Sequence, residues 1–198
     1  MHIIVRASCL ATLFLAACAP ATPIVHAPEA TAFAISTLPV QPTRELLSFS
    51  PIAYRDEAND LELDYPDDWS LDPNTQIGSR GSEAQLLSPG TTAERLAQGG
   101  TRVSIIIYAW EPKGDLAAYV AHRRPAWETG GYTILAERTG QLVDGRQEAS
   151  LIVQAPDGLQ AFFLLTTLGD QYLQIAGEGD LLLIEEIART ARPLGFAP

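Results

Sequence analysis

Four kinds of side chain in this 198-residue sequence are able to do chemistry: two cysteines, three histidines, a dense run of carboxylates, and two serines near glycines. A serine hydrolase wants a Gly-x-Ser-x-Gly turn with a histidine to take the proton, and neither Ser79 nor Ser82 sits in one. His122 lies beside Arg123 and Arg124 in a helical pattern, which reads as a solvated surface position rather than a catalytic base. The carboxylates Asp56, Glu57, Asp60, Glu62, Asp64, Asp67, Asp68 and Asp72 lack the fixed ligand offsets and glycine turn of a calcium loop. Glu62 and Asp64 alternate with Leu61 and Leu63, so the pattern sends them to the wet face of a strand. Gly177-Glu178-Gly179 lacks a third glycine, and its acids would repel phosphate, leaving a turn and a helix cap. No metal, cofactor or catalytic set is expected.

The cysteines carry the strongest signal. Arg6 precedes an apolar run, Ala7 to Ala17, closed by Leu15-Ala16-Ala17-Cys18. A cation, a short apolar stretch and small residues at a cleavage point make a secretory signal over residues 1–17. The run is too short to span a bilayer as a helix. Its last four residues resemble the lipobox of bacterial lipoproteins, in which the cysteine is diacylated and becomes the mature N-terminus. The resemblance implies lipidation at Cys18 and an extracytoplasmic protein attached to a bacterial membrane by acyl chains. Several chains on one cysteine give the anchoring that a single chain lacks.

Composition narrows the partners. Net charge is −11, and −12 once residues 1–17 with Arg6 are removed. That balance disfavours nucleic acid, whose phosphates demand clustered Lys and Arg. It also disfavours adhesion to anionic head groups, so the membrane link falls to the acyl chains. With Cys9 in the leader and Cys18 acylated, no disulfide is available in an oxidising compartment, and stability must come from a packed core.

Those few reactive side chains depend on the elements that hold them. Residues 18–51 are rich in Pro, Ala and Thr, with Pro20, Pro23, Pro28, Pro39, Pro42 and Pro51, and read as a disordered tether. The folded domain is expected over residues 52–198. Leu61 to Tyr65 alternates as a half-buried strand; Arg102 to Trp110 is apolar on both faces and reads as a central, doubly covered strand. Asp115 caps a helix bearing Leu116, Tyr119, Val120, Arg123 and Trp127, stopped at Gly130-Gly131 and blemished by Pro125. Asp144-Gly145, Asp157-Gly158 and Gly169-Asp170 separate four strand-like runs, an antiparallel meander. Asp180 opens a last helix with Leu183, Ile184, Ile187, Ala188 and Ala191 as its stripe and Glu185, Glu186 and Arg189 toward water. Strands with two apolar faces need a helix on each side, so the expected fold is α+β: an antiparallel sheet flanked by helices on both faces.

From Tyr54 to Leu194 the order of elements resembles PsbP-like domains. Tyr65-Pro66-Asp67-Asp68-Trp69 after an alternating strand is similar to their Tyr-Pro-x-x-Trp opening. The strand Val103 to Tyr108, the Asp115 helix ending at Gly130-Gly131-Tyr132, and Gly169-Asp170-Gln171-Tyr172 before the final helix follow in the same order. Periplasmic lipoproteins of the DcrB kind look similar too. The resemblance implies an α/β/α sandwich and a non-catalytic accessory fold that docks on membrane complexes; without a photosystem-specific docking segment, no photosynthetic role is carried over.

The expectation is therefore a lipid-anchored binding or accessory module, not an enzyme. The alternative is a cell-envelope hydrolase with unrecognised catalytic residues. Trp110, where the central strand exits into Glu111-Pro112, is the aromatic assigned to ligand or partner contact. Trp69 and Trp127 are assigned to packing.

Overall fold

The computed structural model describes residues 47–77, 81–110 and 112–196. The leader, Cys18 and the tether up to residue 46 lie outside the described residues. In chain order the elements are β1 (Pro51–Asp56), β2 (Leu61–Pro66), β3 (Ser70–Ile77), β4 (Gly81–Leu87), β5 (Arg102–Tyr108), α1 (Leu116–Thr129), β6 (Thr133–Gln141), β7 (Gln147–Gln154), β8 (Gln160–Leu168), β9 (Gln171–Glu178) and α2 (Leu181–Arg189). The fold is α+β. β1 and β2 form a two-stranded hairpin, and the other strands form one antiparallel sheet in the order β3-β4-β5-β9-β8-β7-β6.

The meander expected after Tyr132 is present as β6 to β9, because each Gly in its turns accepts the positive φ that closes a tight hairpin. Helix caps act as the sequence suggests. Asp115 accepts the Ala118 amide at 2.8 Å, and Asp180 accepts those of Leu182 and Leu183 at 3.1 and 3.2 Å. Pro125 does not end α1, which runs on to Thr129.

Successive side chains of a strand point to opposite faces, and two apolar clusters divide along that alternation. Phe162 and Leu164 of β8, Leu173 and Ile175 of β9, and Val103, Ile105 and Ile107 of β5 pack with Ile184, Ile187 and Ala188 of α2 and with Leu61 and Leu63 of β2. Leu165 of β8, Tyr172 of β9, and Ala149, Leu151 and Val153 of β7 pack with Tyr119, Val120 and Trp127 of α1. Trp69 and Trp127 are both buried. Gly177 lets α2 come this close, since a Cβ there would meet Ile184 at 2.9 Å and the Arg102 carbonyl at 2.7 Å.

Three expectations are corrected. Glu62 and Asp64 are buried, because the Arg192 backbone bridges Glu62 and closes off that side of β2. Glu185 and Arg189 do not simply face water; they pair with each other and with Arg138 and Glu148 across to the sheet. β5 is sealed on one face only: Ser104, Ile106 and Tyr108 are half-buried, since α1 lies over β7 and β8 instead.

Candidate functional site

The loop leaving β5 gathers the aromatic residues. Trp110 is half-buried and stacks on His122 of α1, centroids 4.7 Å apart at 25°. It also meets Tyr119 at 5.5 Å and the edge of Tyr172 at 5.7 Å, and those two tyrosines stack at 4.3 Å. Tyr172 donates its hydroxyl hydrogen to the Pro112 carbonyl and accepts the Asp115 amide at 3.0 Å, tying the start of α1 to β9. So the structure joins Trp110 and His122, which the sequence reading kept apart. Burial pushes the Tyr119 phenol well above its usual range; Arg123 works against this, and Tyr108 and Tyr172 add to it.

These rings, with Trp127 against Phe163 at 5.4 Å, prop one flank of α1 off the sheet. On the other flank the side chains are small. Gly114, Ala117 and Ala121 look across to Thr139, Ala149 and Thr167, and a cleft of about 740 Å³ remains between them, bounded also by Leu116 and Val120. That volume lies within the range of small-molecule sites. Pro125 contributes as well: without an N–H it leaves the Ala121 carbonyl lacking its helical bond, on the wall of this cleft.

Most of the charges at the cleft are held in pairs or caps. Lys113 pairs with Asp170 at 2.9 Å, Arg124 pairs with Glu137, and Asp115 caps α1. Glu148 pairs with Arg189 at 2.7 Å through Oε1, while its buried Oε2 has no hydrogen-bond partner. Burial lifts the Glu148 carboxyl above the ordinary carboxylate range, and Arg189 only partly restores it. The arrangement can hold an apolar body with a few polar groups; it offers no adjacent acid and base free to move a proton. Sequence reasoning passed over this cleft. Its one signal was Ala117 and Ala121, two small residues four apart on one side of the helix.

A second charged group lies behind β2. Arg192 Nη1 meets Asp64 at 2.9 Å, Nη2 meets Glu62, and Arg55 Nε reaches Glu62 at 2.7 Å. Burial works to raise the Glu62 carboxyl, but the hydrogen bonds and charges of Arg192 and Arg55 together outweigh it and hold the group below its ordinary value. This cluster is closed upon itself and serves the fold.

No family model matches the sequence, and no curated protein matches it. Among solved structures, the chain is similar in fold to cyanobacterial PsbP (CyanoP) from Synechocystis sp. PCC 6803. The TM-score is 0.53 at 13% identity, over 78% of this chain and 99% of that one. A structure from Bacteroides thetaiotaomicron VPI-5482 aligns over 71% of this chain and 47% of its own, at 14% identity, with a TM-score of 0.34, too low to bear on the fold. The PsbP-like fold expected from the order of elements is supported by the first of these.

Proposed function

We propose that this protein is a lipid-anchored extracytoplasmic binding or accessory module without catalytic activity. In this reading residues 1–17 are removed, acyl chains on Cys18 hold the protein to a bacterial membrane, residues 18–51 form the tether, and residues 52–198 are the working domain. The alternation of the two clusters along β8 and β9 supports a three-layer sandwich with α1 on one face of the sheet and α2 on the other. The observation that carries the functional reading is the cleft beneath α1: sized for a small molecule, walled by Gly114, Ala117 and Ala121 on the helix side and by Thr139, Ala149 and Thr167 on the sheet side, with Lys113 and Arg124 held in ion pairs. A cleft of that kind takes a small molecule by shape and burial, with a few polar contacts to orient it. The likeness to CyanoP adds support from fold alone. Trp110, at the mouth of the same loop, is the contact for a partner on the membrane.

The test is a ligand screen by thermal shift, repeated with Ala121→Trp, which fills the cleft from an exposed helix position. A ligand that stabilises the wild type and leaves the variant unmoved supports the proposal. Hydrolytic turnover abolished by a single substitution, such as His122→Ala, would overturn it. Anchoring has its own test: Cys18→Ser should release the protein from membranes or leave the precursor uncleaved, and a variant that fractionates and matures like wild type would refute the lipid anchor.

A further inference from the structure

The chain enters the domain bound to α2. Ser48 donates its amide N–H to Glu186 at 2.7 Å and its hydroxyl to the other oxygen of that carboxylate. Phe49 packs against the cluster beneath α2, and Leu47, where the described residues begin, is half-buried. The hairpin sets the direction of approach. Along β2, Glu62 bridges Arg192, the Asp64 amide bonds the Thr190 hydroxyl, and past the strand the Asp67 amide bonds the Ser50 carbonyl. β1 is antiparallel to β2. Followed backwards from Asp56, it therefore climbs toward the N-terminal end of α2 and meets Glu186 at Ser48. The next turn of helix in that direction carries Leu182.

Leu182 is 80% exposed, the most exposed large apolar side chain among the described residues. A single exposed leucine is ordinary on a surface; the place of this one is what matters. It lies four residues before Glu186 on the same side of the helix, away from Ile184, Ile187 and Ala188, which face the core. Leu46 and Leu47 directly precede Ser48. In an extended chain residues two apart share a side, so Leu46 faces the way Ser48 does. Two residues of extended chain span about 6.6 Å, and four residues of helix about 6 Å. A chain that sets Ser48 on Glu186 thus brings Leu46 over Leu182.

We propose that residues 43–47 dock along the outer side of α2, with Leu46 covering Leu182. The segment is already fastened at Ser48, so no long loop has to be closed and only a few residues lose chain entropy. Docking moves the domain end of the tether back from Pro51 to about Thr43 and fixes the side of the domain from which the tether leaves. It holds whether or not Cys18 is acylated.

The experiment is timed trypsin cleavage of the purified full chain, because Arg44 is the sole Lys or Arg between Cys18 and Arg55. The expected result is cutting after Arg44 that is much slower than in a synthetic peptide of residues 38–50. Leu182→Ser and Leu46→Ser should each speed it about tenfold, the order for uncovering one leucine where cutting follows an opening equilibrium. The double variant should be cut little faster than either single one, as for two halves of one contact. Leu159→Ser, at another exposed leucine, should change nothing. Leu46→Ser lies outside the described domain and keeps the test open should Leu182→Ser disturb α2. Wild-type cutting at the peptide's rate overturns the proposal. So do rates that neither variant changes, or effects that multiply in the double variant. Protection that disappears on dilution gives Leu182 to a second copy and overturns it too.

Discussion

Arg192→Ala is expected to destabilise the domain by about 3–5 kcal/mol, the range for breaking a buried ion pair by removing one partner. The guanidinium is the shared partner of two carboxylates on β2. It bonds Asp64 at 2.9 Å and Glu62 through its other terminal nitrogen, and also reaches the Thr190 carbonyl at 2.9 Å. Asp64 is 1% exposed. Arg55, itself largely in water, is placed to help only Glu62. Removing Arg192 therefore takes away the ion-pair partner that Asp64 and Glu62 share beneath the β1–β2 hairpin and leaves their desolvation less well offset. Urea unfolding should show a lower midpoint with an unchanged slope. Replacing Arg192, Glu62 and Asp64 together with Met, Gln and Asn should recover much of the loss, because no charge is then left buried. A loss below about 1 kcal/mol in the single variant would mean that water reaches the cluster, as at a surface pair.

The same cluster sets a pH dependence. Glu62 titrates below its ordinary value in the fold, so its stabilisation is present above the unfolded pKa and is lost as pH falls through the depressed one. In Arg192→Ala burial acts on Glu62 without that guanidinium, and protonation then relieves the penalty. The gap between wild type and variant should narrow on acidification. Glu148 works in the opposite sense: its folded pKa is raised, so it adds stability as pH falls. Glu148→Gln should accordingly steepen the acid limb of the curve, whereas Glu62→Gln should flatten it.

What could be read in the sequence was local. Asp144-Gly145, Asp157-Gly158 and Gly169-Asp170 mark three hairpin turns, and Asp115 and Asp180 mark two helix starts, because turns and caps depend on residues a few places apart. β3 and β4 were missed. Pro73, a register shift between Asp72 and Thr75, and the polar side chains of both strands blur the period-2 pattern, and pairing with β5 is what makes them strands. Alternation along β2 sent Glu62 and Asp64 to water, but their partner lies 130 and 128 residues away, beyond any local pattern. The cleft was invisible for another reason. It is made by side chains that are missing, Gly114, Ala117, Ala121 and Ala149, and only the stacked rings on the far flank of α1 turn those absences into space.

Ile105→Asp is expected to remove most of the domain's stability. Ile105 is 1% exposed at the middle of β5, paired with Ala84 on one side and Ile175 on the other, in the cluster that α2 covers. Losing a buried isoleucine to a short side chain costs about 2–5 kcal/mol in transfer and cavity energy. An unpaired carboxylate adds its own desolvation unless it takes up a proton. Against a typical total of about 5–15 kcal/mol, the sum leaves little folded protein at neutral pH. Its neighbour gives the contrast. Ile106 points to the face that α1 leaves open and is half-buried, so Ile106→Asp should cost far less, with its carboxylate reaching water. Thermal melts of the two variants measure the difference directly. Equal losses would mean that both faces of β5 are sealed; the large difference expected here follows from α1 lying over β7 and β8, which leaves β5 open on one side.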